Sequence, residues 1–246
     1  MLQVVILAGG KGKRMGAPDR PKVLTPVGGR PIIHRLLEAV RPIVPRPVLV
    51  IGHGGEQVIE ATGNEHVYAW QKEQLGTGHA VSAARAELEA LRADPIIVLP
   101  GDHPHISTAT IRRLLETHET HRPAVTFTTA VVPAYENDWA NYEHYGRILR
   151  DASGTVLGIR EFKDATPEER AGREVNVGYY CFDAGWLWEN IGKISNTNAA
   201  GEYYLTDMIG LAVAQGRPLR TVVIEKAIEG MGVNTPEELA VAEKHA

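Results

Sequence analysis

The feature that most constrains the fold is an alternation of short apolar runs with helical patterns in the first half of the chain. Residues 4–7, 48–51 and 96–99 are rich in β-branched side chains, whereas 32–40 and 79–91 carry apolar residues or alanine at helical spacing. Such alternation predicts βαβ units, and therefore an α/β fold with a Rossmann-like, mixed but mostly parallel sheet and helices on both faces. Ligands bind beyond the carboxyl ends of such strands, so we expect the loops after the first and third runs to meet.

The second half of the chain has a different texture. Its apolar runs are longer and β-like, at 124–132, 145–150, 155–162 and 174–182. These runs predict a small β lobe that packs on the same sheet. No linker rich in Gly, Ser or Pro separates this lobe from the first half. We therefore expect one domain over 1–246, with halves at 1–122 and 123–234 and a last helix at 235–246. Thr235 as N-cap and Pro236 at the first helical position predict the start of that helix.

Composition narrows the classes of partner and location. The chain has 26 basic and 30 acidic residues and a net charge of −4, so nucleic acid is not expected as a partner. Cys181 is the single cysteine, which excludes an internal disulfide and fits a reducing cytoplasm. The apolar start precedes the basic residues, the reverse of a secretory signal, and no apolar run approaches the roughly 18 residues of a membrane span. We expect a cytoplasmic protein without a membrane partner; a homo-oligomer stays open.

A basic, glycine-rich stretch follows the first apolar run directly. Residues 7–22 read L-A-G-G-K-G-K-R-M-G-A-P-D-R-P-K. Glycines leave backbone N–H groups unshielded, and both N–H groups and cations suit phosphate oxygens. We expect this stretch to bind a nucleoside triphosphate through Leu7, Ala8, Gly9, Gly10 and Gly12, with cations supplied by Lys11, Lys13, Arg14, Arg20 and Lys22. Lys11 and Lys13 are interpreted as charges at the rim of the site.

Spacing excludes two familiar phosphate-binding loops. A P-loop needs a lysine followed by serine or threonine, but the lysines here precede Gly12, Arg14 and Val23. A dinucleotide fingerprint needs a third glycine where Met15 stands, and the prolines that follow could not open a helix. A nicotinamide-dependent oxidoreductase is therefore not expected.

The stretch resembles the signature of the sugar-1-phosphate nucleotidylyltransferases, L-A-G-G-K-G-K-R-M followed by P-K-V-L. The run Q-K-E-Q-L-G-T-G-H-A at 71–80 narrows the resemblance to bacterial N-acetylglucosamine-1-phosphate uridylyltransferases. Further matches keep the family's order and span nearly the whole chain: P-G-D-H-P at 100–104, Y-G-R-I at 145–148, E-F-K-D-A-T at 161–166, E-V-N-V-G-Y-Y at 174–180, G-E-Y-Y-L-T-D at 201–207 and G-V-N at 232–234. The resemblance implies the nucleotide-diphospho-sugar transferase fold and transfer of UMP from UTP to N-acetylglucosamine 1-phosphate with Mg²⁺.

Nucleotidyl transfer brings two anions together, so the site must cancel charge and align the groups. Arg14 and Lys22 are the candidates for this role. The resemblance implies that Arg14 contacts the β- and γ-phosphates and that Lys22 lies near the α-phosphate. Asp102 follows an apolar strand and a glycine, which is also a common turn pattern; the resemblance makes it a Mg²⁺ ligand, with Asn234 as the second.

The resemblance also implies how the base and the sugar are bound. Gln71 and the backbone around Gly76 correspond to the uracil-reading pair, and Thr77 beside them could equally be the N-cap of the next helix. His79 and His103 are interpreted as structural, because an ionised sugar phosphate needs no base. Four positions correspond to sugar contacts: Gly146, Glu161, Asn176 and Thr206.

Two departures from the family lie on the sugar side. Pro100 stands where many members carry an aromatic residue, and the stretch 133–144 is longer than usual, with His144 in place of glycine. Another hexose 1-phosphate, or dTTP, therefore stays an alternative, as does a catalytically silent nucleotide-sugar sensor. Bifunctional members continue into a left-handed β-helix acetyltransferase domain, which these residues do not contain, so acetyl transfer is not expected.

Overall fold

The structure, a computed structural model, describes residues 1–10, 12 and 20–246. Strands alternate with helices through the first half of the chain, as the sequence predicts. The strands are β1 (Gln3–Leu7), β2 (Pro26–Val27), β3 (Arg30–Pro31), β4 (Val48–Ile51), β5 (Val67–Trp70), β6 (Ile96–Pro100), β7 (Val125–Val131), β8 (Arg147–Arg150), β9 (Val156–Arg160), β10 (Glu174–Phe182) and β11 (Leu219–Val223). The helices are α1 (Ile32–Val40), α2 (Gly55–Thr62), α3 (Thr77–Ala83), α4 (Arg85–Ala90), α5 (Thr108–His121), α6 (Pro167–Arg170), α7 (Ala184–Asn190), α8 (Asp207–Ala214) and α9 (Pro236–Lys244).

One mixed sheet organises both halves of the described chain. Its nine strands lie in the order β11-β7-β10-β6-β1-β4-β5, with β8 against β10 and β9 against β8. Neighbours β6, β1, β4 and β5 are parallel, as are β7 and β11, whereas β10 runs antiparallel to both β6 and β7. The predicted α/β fold with a mixed, mostly parallel sheet is confirmed.

Alternate residues of the central strands face two separate cores. Val4 and Ile6 of β1 belong to a core under α1, α2 and α5, whereas Val5 belongs to a core under α3, α4, α7 and α8. All three side chains are 0% exposed, which explains why β1 reads as a continuous apolar run. Helices therefore cover both faces of the sheet, and the strand ends are left open to form a site.

Two local predictions have different outcomes. Thr235 caps α9 with its side chain and Pro236 is the first helical residue, as the sequence predicts; the structure adds a capping box completed by Glu238. The predicted helix over 79–91 is instead the two helices α3 and α4, separated at Ala84. Among the described residues, no helix combines the length and apolar character needed to cross a bilayer.

The long stretch 133–144 is a packed part of the β lobe. Asn137–His144 form a 3₁₀ helix, and the fully buried Tyr142 donates its hydroxyl proton to the carbonyl of Ala227. Arg147 behind it is 1% exposed and donates to the carbonyls of Tyr142 and Glu143. The buried guanidinium of Arg147 thus connects residues 133–144 to β8 through hydrogen bonds.

Candidate active site

The loops after β1 and β6 meet at the carboxyl edge of the sheet, as predicted. Gly101 donates its N–H to the carbonyl of Leu7 at 3.0 Å. A β-carbon at Gly101 would lie 2.6 Å from that same oxygen, so only glycine allows this approach. The close contact places the end of β1 beside the turn that carries Asp102.

A cavity of about 1060 Å³ opens at this edge. It brings together most of the residues predicted from the sequence for phosphate, metal, base and sugar binding: Leu7, Gly9, Gly10, Gly12, Lys22, Gln71, Gly76, Thr77, Asp102, Gly146, Glu161, Asn176, Thr206 and Asn234. Ala8 lies behind the cavity wall, 1% exposed, and donates its N–H to Val50. Arg14, Lys11 and Lys13 lie outside the described residues.

Lys22 joins the two residues predicted as metal ligands. Its ammonium donates to the Asp102 carboxylate and to Oδ1 of Asn234, the latter at 2.7 Å. The Lys22 and Asp102 side chains are 16% and 14% exposed. Burial would raise the pKa of Asp102, but the Lys22 charge and its hydrogen bond outweigh burial and hold that pKa below its ordinary value. Asp102 is therefore an ionised and mostly buried carboxylate at the end of β6.

Backbone contacts fix the distance between Asp102 and Asn234. Val233 donates its N–H to the carbonyl of Asp102 at 2.9 Å. The N–H of Asn234 donates to the carboxylate of Glu238 in the first turn of α9. The capping box of α9 thus holds Asn234 opposite the end of β6.

The donor set suits a hard divalent cation. One carboxylate and one amide oxygen are the ligand types that Mg²⁺ prefers, and substrate phosphates and water complete its coordination. The Lys22 ammonium already lies between these oxygens, so the pair is arranged to neutralise a positive charge. Within the described residues, no group of three His, Cys, Asp or Glu side chains forms a metal cluster.

Gln71, just after β5, presents one defined edge of its amide. Nε2 lies 3.1 Å from both the carbonyl of Gly76 and Nδ1 of His79. A carbonyl only accepts, so the amide nitrogen must face Gly76, and Oε1 faces Gly9, where a β-carbon would approach it to 3.1 Å. Gln71 therefore presents a hydrogen-bond acceptor, Oε1, to the cavity beside Gly9.

Gly76 and Thr77 are both fixed by a second loop. Gly76 has φ +114°, and a β-carbon there would lie 2.6 Å from the carbonyl of Tyr203. Thr77 is not the N-cap of α3, which is Gly76; its hydroxyl oxygen instead accepts from the N–H of Leu205 at 3.0 Å. The N-cap alternative is wrong because tertiary contact with 203–205 takes the hydroxyl.

Glu161 and Asn176, both predicted as sugar contacts, supply polar groups to the cavity wall. Oε1 of Glu161 accepts from the hydroxyl of Thr206 at 2.9 Å, and burial raises the pKa of Glu161. Asn176 donates its N–H to the carbonyl of Gly146 at 2.8 Å. Its Oδ1 accepts from Gly178 N–H at 3.1 Å and from the Tyr180 hydroxyl at 3.0 Å. The side-chain oxygen of Asn176 is thus already hydrogen-bonded, and its side-chain NH₂ group is available to donate to a ligand.

Several cavity residues were not singled out from the sequence. Tyr145 accepts a hydrogen bond from Gly232 N–H at 2.8 Å, and Tyr180 orients Asn176. Burial raises the pKa of the Tyr204 hydroxyl to about 12, so it stays a donor at neutral pH. Each lies inside a motif quoted above, within four residues of a selected position: Tyr145 beside Gly146, Tyr180 after Asn176 and Tyr204 before Thr206. The signal was therefore present, but nothing local ranks one tyrosine above its neighbour.

Comparison with known proteins gives a family and a fold. The family model of MobA-like NTP transferase domains matches residues 4–169. Proteins named "Bifunctional protein GlmU" are 42% identical over 240 residues in Heliobacterium modesticaldum and 43% identical over 241 residues in Pelobacter propionicus. Each alignment covers 97% of this chain and 50% of the relative, so the chain spans about half the length of these relatives.

A solved structure shares the fold at low sequence identity. It comes from a Bacillus anthracis protein assigned as a glucose-1-phosphate thymidylyltransferase, in complex with sucrose. The TM-score is 0.76 at 20% identity, and the match covers 100% of this chain and 95% of the other. At this identity the similarity concerns the fold alone.

Proposed function

The chain belongs to the family of MobA-like NTP transferase domains, and we propose that it transfers UMP from UTP to N-acetylglucosamine 1-phosphate and releases pyrophosphate. The similarity to bifunctional GlmU proteins over 97% of the chain supports this reaction. The observation that carries the proposal is that Lys22, Asp102 and Asn234 meet at one end of a cavity whose other walls hold Gln71 and Glu161.

The glycine-rich loop and Lys22 would bind the triphosphate. Gly10 has open space where a β-carbon would stand, which leaves its backbone accessible to a phosphate oxygen. At about 4 Å and an effective dielectric near 20, an ammonium and a phosphate charge attract by roughly 4 kcal/mol before desolvation. Lys22 would bind the α-phosphate, and Arg14 is proposed for the β- and γ-phosphates.

Asp102 and Asn234 are proposed to hold Mg²⁺. When bound, the ion would offset the phosphate charge that builds up during transfer. The chain's own contribution is to keep one ionised carboxylate and one amide oxygen fixed by the backbone of 233 and by Glu238. Lys22 must leave these oxygens before they can coordinate a metal, and it is then free to contact phosphate.

Gln71 would select the base and the opposite wall would orient the sugar. Oε1 of Gln71 can accept from the imide N–H of uracil, since its NH₂ group is held by Gly76 and His79. Glu161 can accept a ring hydroxyl, and the NH₂ group of Asn176 can donate to an acetamido oxygen. The sugar phosphate is already an anion, so its attack needs no general base.

We also propose a cytoplasmic location, based on Cys181, the single cysteine, whose thiol is free and buried. Nucleic acid is not proposed as a partner, and homo-oligomer formation stays a prediction. The division into two halves at residue 122 is likewise a proposal. Strands β7 and β10 of the second half lie in the same sheet as β6 of the first half.

A pyrophosphate-release assay tests the reaction. UTP, CTP and dTTP would each be combined with N-acetylglucosamine 1-phosphate or glucose 1-phosphate at saturating Mg²⁺. The proposal predicts the highest kcat/KM for UTP with the N-acetylated sugar. Preference for glucose 1-phosphate would change the sugar assignment and keep uridylyl transfer, whereas absence of turnover with every pair would overturn the enzyme assignment.

A further inference from the structure

The start of α3 supplies both groups that hold the side chain of Gln71. Gln71 is 5% exposed, and its Nε2 lies 3.1 Å from the carbonyl oxygen of Gly76, the N-cap of α3, and 3.1 Å from Nδ1 of His79 in the first turn. His79 itself lies outside the described lining of the cavity, behind Gln71. Its ring takes no part in the proposed phosphate chemistry.

Hydrogen-bond directions determine which nitrogen of His79 carries a proton. A carbonyl only accepts, so the side-chain group of Gln71 that faces Gly76 must be the NH₂ group. The second N–H of that group then donates to Nδ1 of His79, which must present a lone pair. In the neutral imidazole the proton is therefore on Nε2. The ring thus acts as a hydrogen-bond acceptor towards Gln71.

The position of both acceptors is fixed by α3 and by a neighbouring loop. The carbonyl of Gly76 also accepts from the N–H of Ala80 at 3.1 Å, which is a helical hydrogen bond of α3. Gly78, between them, donates its N–H to the carbonyl of Tyr203 at 2.8 Å. These bonds hold the first turn of α3, and with it the backbone of His79, at a fixed place beside Gln71.

The two acceptors oppose rotation of the Gln71 amide by half a turn. Rotation would place Oε1 against the lone pairs of the Gly76 carbonyl and of Nδ1 of His79, and both hydrogen bonds of the NH₂ group would be lost. A buried polar group that loses its partner is strongly disfavoured. Without the imidazole, only the Gly76 carbonyl would oppose the rotated amide. His79 therefore contributes directly to the orientation of the amide.

We propose that His79 is a positioning residue that makes the base site selective for uracil. In the observed orientation the free edge of the Gln71 amide is Oε1, which can accept from the imide N–H of uracil. N3 of cytosine has no proton and needs a donor instead, which only a rotated amide would offer. The inference rests on the proposed function for the role of Gln71 in reading the base.

Calorimetric titration of the whole chain with UTP and with CTP, each with Mg²⁺ and without sugar phosphate, tests this role. His79→Leu should weaken UTP binding and strengthen CTP binding, so that the UTP-to-CTP affinity ratio falls by about 10-fold. General damage to the site would instead weaken both nucleotides and leave the ratio unchanged. A folded His79→Leu protein with the wild-type ratio would overturn the inference, as would a wild-type protein that binds UTP and CTP equally.

Two further variants separate the acceptor from the rest of the side chain. His79→Asn can place an amide oxygen where Nδ1 lies, so it should keep the wild-type ratio; a ratio as low as that of His79→Leu would contradict the acceptor role. Ser82→Ala is the matched control in α3. Its hydroxyl donates to the carbonyl of Gly78 at 3.0 Å, and its loss should leave the ratio unchanged.

A measurement on the wild-type protein avoids any loss of folding in the variants. Nitrogen chemical shifts in the isotope-labelled protein distinguish an imidazole nitrogen with a lone pair from one with a proton. The neutral ring of His79 should carry its proton on Nε2, and a proton on Nδ1 would overturn the inference. Failure of the proposed function is distinguishable, because it would appear as no pyrophosphate release with any substrate pair while the preference for UTP in binding persists.

Discussion

The Lys22 ammonium lies 2.7 Å from the amide oxygen of Asn234, a residue 212 positions further along the chain, and it also contacts the carboxylate of Asp102. The same oxygens are the proposed metal ligands. A metal at these oxygens would compete with this ammonium, so metal binding would require Lys22 to move away. Lys22 would then be available to bind a phosphate group.

Asp102→Asn should fold and lose most turnover. The amide keeps the shape of the side chain but removes the negative charge, so we expect kcat to fall on the order of 10²-fold. Rates at limiting Mg²⁺ and a thermal unfolding curve are the measurements. Asp151→Asn is the control, since this carboxylate accepts only from its own exposed turn at 153 and 155. A near wild-type rate for Asp102→Asn at limiting Mg²⁺ would refute the ligand assignment.

Lys22→Ala should lower kcat by on the order of 10² or more, because charge at the α-phosphate grows towards the transition state. The loss should fall mainly on kcat and less on the KM for UTP. Steady-state kinetics with UTP varied measures both. Lys244→Ala, which removes an exposed ammonium paired with Asp138, should leave both constants unchanged. A change confined to KM would make Lys22 a ground-state binder.

Gln71→Ala should remove discrimination between UTP and CTP. In the wild type, Oε1 would accept from uracil N3–H, whereas cytosine N3 is itself an acceptor and would leave a buried oxygen unpaired, at about 1–3 kcal/mol. The kcat/KM ratio of UTP to CTP should therefore be large and should collapse in the variant. Gln74→Ala, in the same loop, is the control and should keep the ratio, because the Gln71 side-chain amide is held by Gly76 and His79 and not by Gln74. An unchanged ratio in Gln71→Ala would place base selection elsewhere.

Thr206→Val should move the acid limb of sugar use to higher pH. Burial raises the pKa of Glu161, and the hydrogen bond from Thr206 lowers it, so removing the hydroxyl raises that pKa further. As the pH falls, Glu161 of the variant therefore becomes protonated at a higher pH than Glu161 of the wild type. The protonated group no longer accepts a hydrogen bond from a sugar hydroxyl in the same way. Profiles of kcat/KM for the sugar phosphate against pH compare both proteins, with Thr155→Val in an exposed turn as the control. Superimposable acid limbs would exclude Glu161 as the sugar acceptor.

The sequence predicted local and periodic features better than contacts between distant segments. Alternation of apolar runs predicted the parallel strands, and Thr235 followed by Pro236 predicted the start of α9, because both depend on the order of residues within one segment. Thr77 was ambiguous, since its hydroxyl could serve the helix or another loop, and only the fold brings Leu205 to it.

Other features of the site have no local signal. The Lys22 contact with Asn234 joins opposite ends of the chain, and the resemblance, not any pattern in the residues, pointed to Asn234. The register of β10 against β7 shifts between Asn176 and Tyr180, around Gly178 with φ +91°. Asn176, at the start of this irregularity, lines the cavity, and a strand pattern cannot predict the irregularity.

The position of β10 has a consequence for synthesis of the protein. β6 ends the parallel group of the first half, and its free edge is completed only by residues 174–182. An unpaired central edge is a template for pairing with other chains. During synthesis on the ribosome, residues 1–122 therefore have an unpaired β6 edge until about sixty further residues have been made. In this interval chaperones would protect the nascent enzyme from pairing with other chains.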